Sequence, residues 1–229
     1  MSEPVTVILI TAGTSPERTE YAVRTVRSVR QNLQYPNLNW FIAYDGSVLI
    51  FFFFFFFFFF FFFFFFVWSG KDSYGRSCNE GIHKSRELGR LTLFLEEDWE
   101  LTRPLDIWPY AATLMENSSI GMIRMGYLNA GIKGKTVGHR SMLYWELDGE
   151  SPYIFAGHPS LRHIRFHDHA GDYKEKLQPG ETELSMAWLY KTSPDPKPSI
   201  VWPCDLGQYG PFAHIGTVQS YTWNGGMPL

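Results

Sequence analysis

Hydrophobic and polar positions divide the first hundred residues into alternating strands and helices. Val5-Thr6-Val7-Ile8-Leu9-Ile10 is a continuous aliphatic and β-branched run, the pattern of a parallel strand buried on both faces. Thr11-Ala12-Gly13-Thr14-Ser15-Pro16 breaks it with turn chemistry. From Arg18 to Gln31, Tyr21, Val23, Val26 and Val29 form an apolar stripe with arginines on the other side, which predicts a helix ending before Tyr35-Pro36-Asn37. Trp40 to Tyr44 predicts a second strand, closed by Asp45-Gly46-Ser47. Val67-Trp68 reads as a short third strand. Gly75 to Gly89 reads as a helix with Ser77, Cys78 and Asn79 in its first turn, and Leu91 to Leu95 as a fourth strand.

This alternation predicts an α/β fold with a Rossmann-like, mostly parallel sheet and right-handed crossovers. Functional groups in such sheets collect at the carboxyl ends of the strands. Three predicted ends carry polar motifs: Thr11-Ala12-Gly13, Asp45-Gly46-Ser47 and Glu96-Glu97-Asp98. After residue 101 the pattern loosens. Trp108 to Glu116 reads as a helix and Ile120 to Arg124 as a strand. Residues 126–178 mix aromatics, glycines and histidines, and Glu181 to Lys191 reads as a helix following Pro179-Gly180. No internal repeat is present.

Phe51 to Phe66 is an unbroken run of phenylalanine. With Val48-Leu49-Ile50 before it and Val67-Trp68 after it, the stretch is long enough to span a bilayer. Natural spans, however, mix aliphatic and small residues and carry flanking charge and interfacial aromatics. The run is therefore read as filler for a segment, expected to be helical, whose own side chains are absent. No transmembrane span is expected unless the run is genuine.

The remaining bulk properties narrow the class. A chain of 229 residues fits one domain. A formal charge of −3 supplies no basic field, so no nucleic-acid partner is expected. Cys78 and Cys204 lack metal or redox spacing and fit a reducing compartment, with a disulfide between them left open. The N-terminus has no basic segment and too short an apolar run for a signal peptide, so a cytoplasmic protein is expected.

The candidate chemistry begins at Leu91-Thr92-Leu93-Phe94-Leu95-Glu96-Glu97-Asp98, an apolar strand stopping at three carboxylates. Adjacent carboxylates repel one another unless a cation lies among them, and hard oxygen ligands suit Mg²⁺ or Mn²⁺. The plainer reading is a solvated acidic turn. His158, His163, His167 and His169 raise a weaker zinc reading, in which His167-Asp168-His169 forms part of a strand with both imidazoles on one face. Trp99, Trp145 and Trp188 are candidates for stacking on sugars, with core packing the plainer role.

The order of these motifs resembles the GT-A fold glycosyltransferases, in particular family-two-like inverting enzymes. The likeness runs from residue 5 to about residue 98 and returns near residue 181. Asp45-Gly46-Ser47 is similar to the family's turn after the second strand, where the aspartate binds the nucleotide. Gly75-Arg76-Ser77-Cys78-Asn79 is similar to its glycine-rich segment, and Glu96-Glu97-Asp98 to a variant DxD-like motif. The resemblance implies a single GT-A domain, residues 1–100 binding a nucleotide-sugar and 101–229 holding the acceptor and the catalytic base. It places Thr11, Ala12, Asp45, Arg76, Asn79, Glu96 and Glu97 on the donor, and Asp98 on Mn²⁺ or Mg²⁺. His214 would complete the metal site. Gly180-Glu181-Thr182-Glu183-Leu184 resembles the family's catalytic segment, with Glu181 as general base and Glu183 as the second acidic group. A UDP-sugar is the expected donor, and a glycan, a lipid-linked glycan or a protein the expected acceptor. The glutamates at 96 and 97 depart from the usual aspartates, as does Cys78 where a basic residue is frequent. Two other readings remain: a sugar-phosphate nucleotidyltransferase, and a non-enzymatic sugar-binding protein.

Overall fold

The computed structural model describes residues 2–11, 15–44, 64–68, 73–128, 131–151, 154–177 and 179–217, with backbone alone at 44, 64–68 and 179. Ala12, Asp45 and Phe51 to Phe63 fall outside the described residues. The first elements are β1 (Val5–Thr11), α1 (Pro16–Asn32), β2 (Leu33–Gln34), β3 (Leu38–Tyr44), β4 (Phe64–Trp68), α2 (Tyr74–Leu88) and β5 (Leu91–Glu96). Then come β6 (Trp99–Leu101), β7 (Leu105–Asp106), α3 (Trp108–Glu116), β8 (Ile120–Arg124), β9 (Gly134–His139), β10 (Met142–Leu147) and β11 (Ser160–His163). The chain continues through α4 (Ile164–Ala170), α5 (Pro179–Thr192), β12 (Ser199–Pro203) and β13 (Phe212–His214).

Nine strands form one sheet in the order β4-β3-β1-β5-β11-β8-β12-β10-β9. Its first four strands are parallel throughout, with Val7 of β1 between Trp40 of β3 and Leu93 of β5. Then β11 enters antiparallel between β5 and β8, so the sheet is mixed beyond β5. Period-two alternation explains the two cores. Val5, Val7 and Leu9 face one core with Val26 and Val29 of α1 and Leu114 of α3. Ile8 and Ile10 face the other, with Ile82 of α2, Phe166 of α4 and Met186 of α5.

The helices start where the sequence supplies caps. The Ser15 hydroxyl accepts from the Arg18 amide at 3.3 Å, with Pro16 in the first turn of α1. Ser73 does the same for the Arg76 amide in α2, and Gly81 lets α2 approach Ile8 and Phe41 closely. The strands and helices predicted in the first hundred residues outside the phenylalanine run are present; the helix expected in that run falls at 51–63 outside the described residues, and Phe64 to Phe66 belong to strand β4 instead. No described helix is long and apolar enough to cross a membrane.

One expectation is corrected, and one pairing left open is resolved. His167-Asp168-His169 lies in helix α4, not in a strand, so the two imidazoles do not share a face. The cause is local: the His163 side chain accepts from the Arg165 amide at 3.1 Å and starts a helix where β11 ends. Cys78 is buried in α2 and Cys204 is exposed, and both are free thiols, so no disulfide joins them.

Candidate active site

The three carboxylates that end β5 separate in space, and strand periodicity dictates how. Glu97 follows Leu95 to the α1 side, where burial pushes its carboxyl up and Arg18 opposes that shift by forming a buried ion pair. The Glu97 carbonyl accepts from the Thr25 hydroxyl at 2.6 Å, which fixes the turn to α1. Glu97 is thus held within the fold, packed against α1.

Glu96 follows Phe94 to the opposite side, toward α2 and α5. The Tyr74 hydroxyl donates to its Oε1 at 2.5 Å. Glu183, on the inner side of α5, accepts from the Gly157 amide. A Cβ built on Gly157 would lie 2.5 Å from Oε1 of both Glu96 and Glu183, so the two carboxylates converge on this one glycine. Burial pushes Glu96 well above the ordinary carboxylate range, and Glu183 and then Asp98 push it further. Burial also raises Glu183, opposed by the Gly157 amide and then by Arg124 and Arg162. These arginines are fully buried on the adjacent strands β8 and β11. Arg162 donates to the Ser160 and Tyr173 hydroxyls at 2.9 and 2.7 Å and lies over the Phe94 ring. Arg124 donates to Nδ1 of His158 at 3.1 Å.

Asp98 forms a third environment. Its Oδ2 lies 3.3 Å from Nε2 of His214, while Oδ1 is buried without a hydrogen-bond partner. Pairing of β13 with β6 sets His214 opposite Trp99 and so delivers the histidine. The Ile215 amide donates to the Asp98 carbonyl at 2.8 Å, and a Cβ on Gly216 would lie 2.6 Å from Oδ2. The hydrogen bond with Asp98 holds His214 above the usual imidazole range. A carboxylate with one orphaned buried oxygen beside an exposed imidazole suits a divalent cation. No group of three or more His, Cys, Asp or Glu donors occurs among the described residues, so protein would supply two ligands and the rest would come from ligand and water.

The other predicted residues occupy varied positions. Thr11, buried at the end of β1, has a hydroxyl without a partner. Both ends of the Asn79 amide are engaged by Tyr173: its Nδ2 donates to the Tyr173 carbonyl at 3.0 Å and its Oδ1 accepts from the Tyr173 amide at 2.8 Å. Arg76 is exposed and pairs with Glu80 at 3.0 Å. Glu181 is exposed in the first turn of α5. The zinc candidates are engaged separately: His163 caps α4, His158 pairs with Arg124, and His167 is buried among Phe166 and Tyr173. Trp99 is core, whereas Trp188 is 56% exposed. Sequence reasoning missed Tyr74, Gly157, Arg124 and Arg162. Arg124 did leave a signal, as the lone charge closing the apolar run from Ile120, whereas Arg162, between Leu161 and His163, left none.

No family model matches the sequence, and no curated protein matches it. Solved structures do. S. aureus TarS 1-349 aligns with a TM-score of 0.55 at 13% identity, covering 87% of this chain and 60% of that one. The complex of TarS 1-349 with UDP-GlcNAc aligns with a TM-score of 0.56 at 12% identity, covering 87% of this chain and 58% of that one. The complex with UDP gives 0.56 at 14% identity, covering 87% and 60%. TarS is a GT-A-type glycosyltransferase, and the fold of this chain is of that type. The chain spans about 60% of the length of the TarS 1-349 structures.

Proposed function

We propose that this chain is a glycosyltransferase that moves a sugar from a nucleotide-diphosphate donor, a UDP-sugar first among the candidates, to an acceptor hydroxyl with inversion. The observation that carries the reading is the Asp98–His214 pair, 3.3 Å apart at the carboxyl end of a central parallel strand, beside the buried carboxylates Glu96 and Glu183. Likeness to a fold that holds UDP-GlcNAc in TarS supports the choice of donor.

The chemistry requires two things of the protein. A departing nucleoside diphosphate carries developing negative charge, and Mn²⁺ or Mg²⁺ bound there would neutralise it as a Lewis acid. Asp98 and His214 are the residues that would hold such an ion, with Asp98 Oδ1 free for it. The acceptor hydroxyl must also lose a proton, which calls for a carboxylate within hydrogen-bond reach of it. Both glutamates of the Glu181-Thr182-Glu183 turn are candidates. The geometry favours Glu183, because its carboxylate faces inward beside Glu96 and is held there by the Gly157 amide, whereas Glu181 stands on the exposed side. Burial raises both carboxyls; the Gly157 amide, Arg124 and Arg162 oppose that rise in Glu183, whereas Glu183 and Asp98 add to it in Glu96, so Glu183 is the one of the two held nearer the ionised form that a base needs.

A thermal-shift screen of UDP-, GDP- and dTDP-sugars with and without Mn²⁺ tests the reading, since a ligand that binds the native state raises the melting temperature. A metal-dependent rise with UDP-sugars supports it. No rise with any nucleotide-sugar contradicts it.

A further inference from the structure

A cavity of about 650 Å³ opens beside the Asp98–His214 pair, within the size range of roughly 300–1,000 Å³ typical of small-molecule sites. Its lining includes Thr102, Tyr127, Gln208, Tyr209, Phe212 and His214. Phe212 is buried in this lining, while Tyr127 and Tyr209 are 40% and 79% exposed beside it.

The cavity is framed rigidly. The Leu128 amide donates to the Gln208 carbonyl at 2.9 Å, and the Thr102 amide donates to the Pro211 carbonyl at 3.0 Å. Gly210 adopts φ +61, and a Cβ there would fall on the Gly126 carbonyl, so only glycine lets this loop seat against the strand β8 exit. A platform held this way loses little freedom on binding.

The cavity is also continuous with the chemistry. Rings run from Tyr127 to His158 at 4.3 Å, from His158 to Trp99 at 4.9 Å, and from Trp99 to His214 at 5.1 Å. His214 lines the cavity while its Nε2 faces Asp98, and His158 adjoins Gly157, whose amide holds Glu183. A molecule resting on Tyr127 and Tyr209 is thereby brought beside His214 of the metal-ligand pair.

Among the described residues the lining contains no Lys, Arg, Asp or Glu, and the imidazole of His214 is turned to Asp98. An anionic ligand would require cationic donors such as arginine, and a fatty chain would not use tyrosine and glutamine rims. What fits is a molecule with apolar ring faces and many uncharged hydroxyls. Building on the transferase reading, we infer that this cavity is the acceptor site and that the acceptor is a neutral saccharide, its ring stacked on Tyr209 and Tyr127 with Gln208 and Thr102 at its hydroxyls.

The test uses the full chain saturated with UDP and Mn²⁺, with binding of maltose, cellobiose, lactose, glucuronic acid and glucose 6-phosphate followed by saturation-transfer NMR. The wild type is expected to bind at least one neutral disaccharide and neither anionic sugar. Tyr209→Ala is expected to weaken that binding at least tenfold and Tyr209→Phe to retain most of it, with the thermal shift given by a UDP-sugar unchanged in both. Unchanged saccharide binding in Tyr209→Ala, preference for the anionic sugars, or binding of none of the neutral ones overturns the inference. A UDP-sugar shift lost in Tyr209→Ala also overturns it, by assigning the cavity to the donor. Failure of the wild type to bind any UDP-sugar would instead strike the transferase reading on which this rests.

Discussion

Asp98 and His214 lie far apart in sequence, yet Nε2 of the histidine is 3.3 Å from the carboxylate, because β13 pairs with β6 immediately after the acidic turn. If the pair holds a divalent ion, His214→Ala should weaken Mn²⁺-supported UDP binding by about tenfold or more, roughly 1.4 kcal/mol, without lowering the melting temperature of the free protein. Isothermal titration of UDP in Mn²⁺ checks this.

Gly157 separates two carboxylates with no room for a side chain. Gly157→Ala should therefore push Glu96 and Glu183 from their present positions and abolish sugar transfer in a folded protein. Gly149, around which a Cβ would meet nothing, is the control: Gly149→Ala should leave transfer unchanged. Circular dichroism and a coupled UDP-release assay on both variants provide the comparison.

The buried Arg18–Glu97 pair predicts an asymmetry. Arg18→Met strands a buried carboxylate and should destabilise the protein by about 3–5 kcal/mol. Adding Glu97→Gln should recover much of that loss, because the stranded charge goes with it. Urea unfolding of the single and double variants measures the difference.

His167 predicts a pH dependence. Burial holds its imidazole well below the ordinary value of 6.5, and both ring nitrogens lack partners. Below pH 6.5 the unfolded chain takes up a proton that the folded chain refuses, so wild-type stability falls as pH falls through this window. Relative to His167→Phe, the wild type should lose up to about 1.4 kcal/mol per pH unit between roughly pH 6.5 and 5. At pH 7 the variant should match or exceed the wild type. Denaturation of both proteins at pH 7 and pH 5 isolates the effect from the buried glutamates, which titrate in both.

Much of the first half could be read from the sequence because local pattern and tertiary environment agree there. Val5 to Ile10 looked buried on both faces and is, and the stripe of Tyr21, Val23, Val26 and Val29 predicted the helix that forms as α1. Asp98 stood out for the same reason, as an acidic residue following a buried strand. Readings failed where distant contacts decide. The alternation of His167 and His169 mimics a strand, but the His163 cap turns the chain into a helix. The partner of Asn79 was equally beyond local pattern: its amide binds the Tyr173 backbone. Local pattern did not foretell the partners of Glu96 and Glu97, which strand alternation sends to Tyr74 and to Arg18. The halves of the cavity, around Tyr127 and Tyr209, are joined by the Leu128–Gln208 hydrogen bond, which no local pattern foretells.

The central claim is that Asp98 makes nucleotide-sugar binding depend on a divalent cation. Its most direct test is calorimetric titration of UDP-GlcNAc into wild type and Asp98→Asn, each in Mn²⁺ and in EDTA. The account predicts measurable binding by the wild type in Mn²⁺, loss of at least about tenfold in affinity in EDTA, and no response to metal in Asp98→Asn. Equal affinity in all four titrations, or none in any, would contradict it.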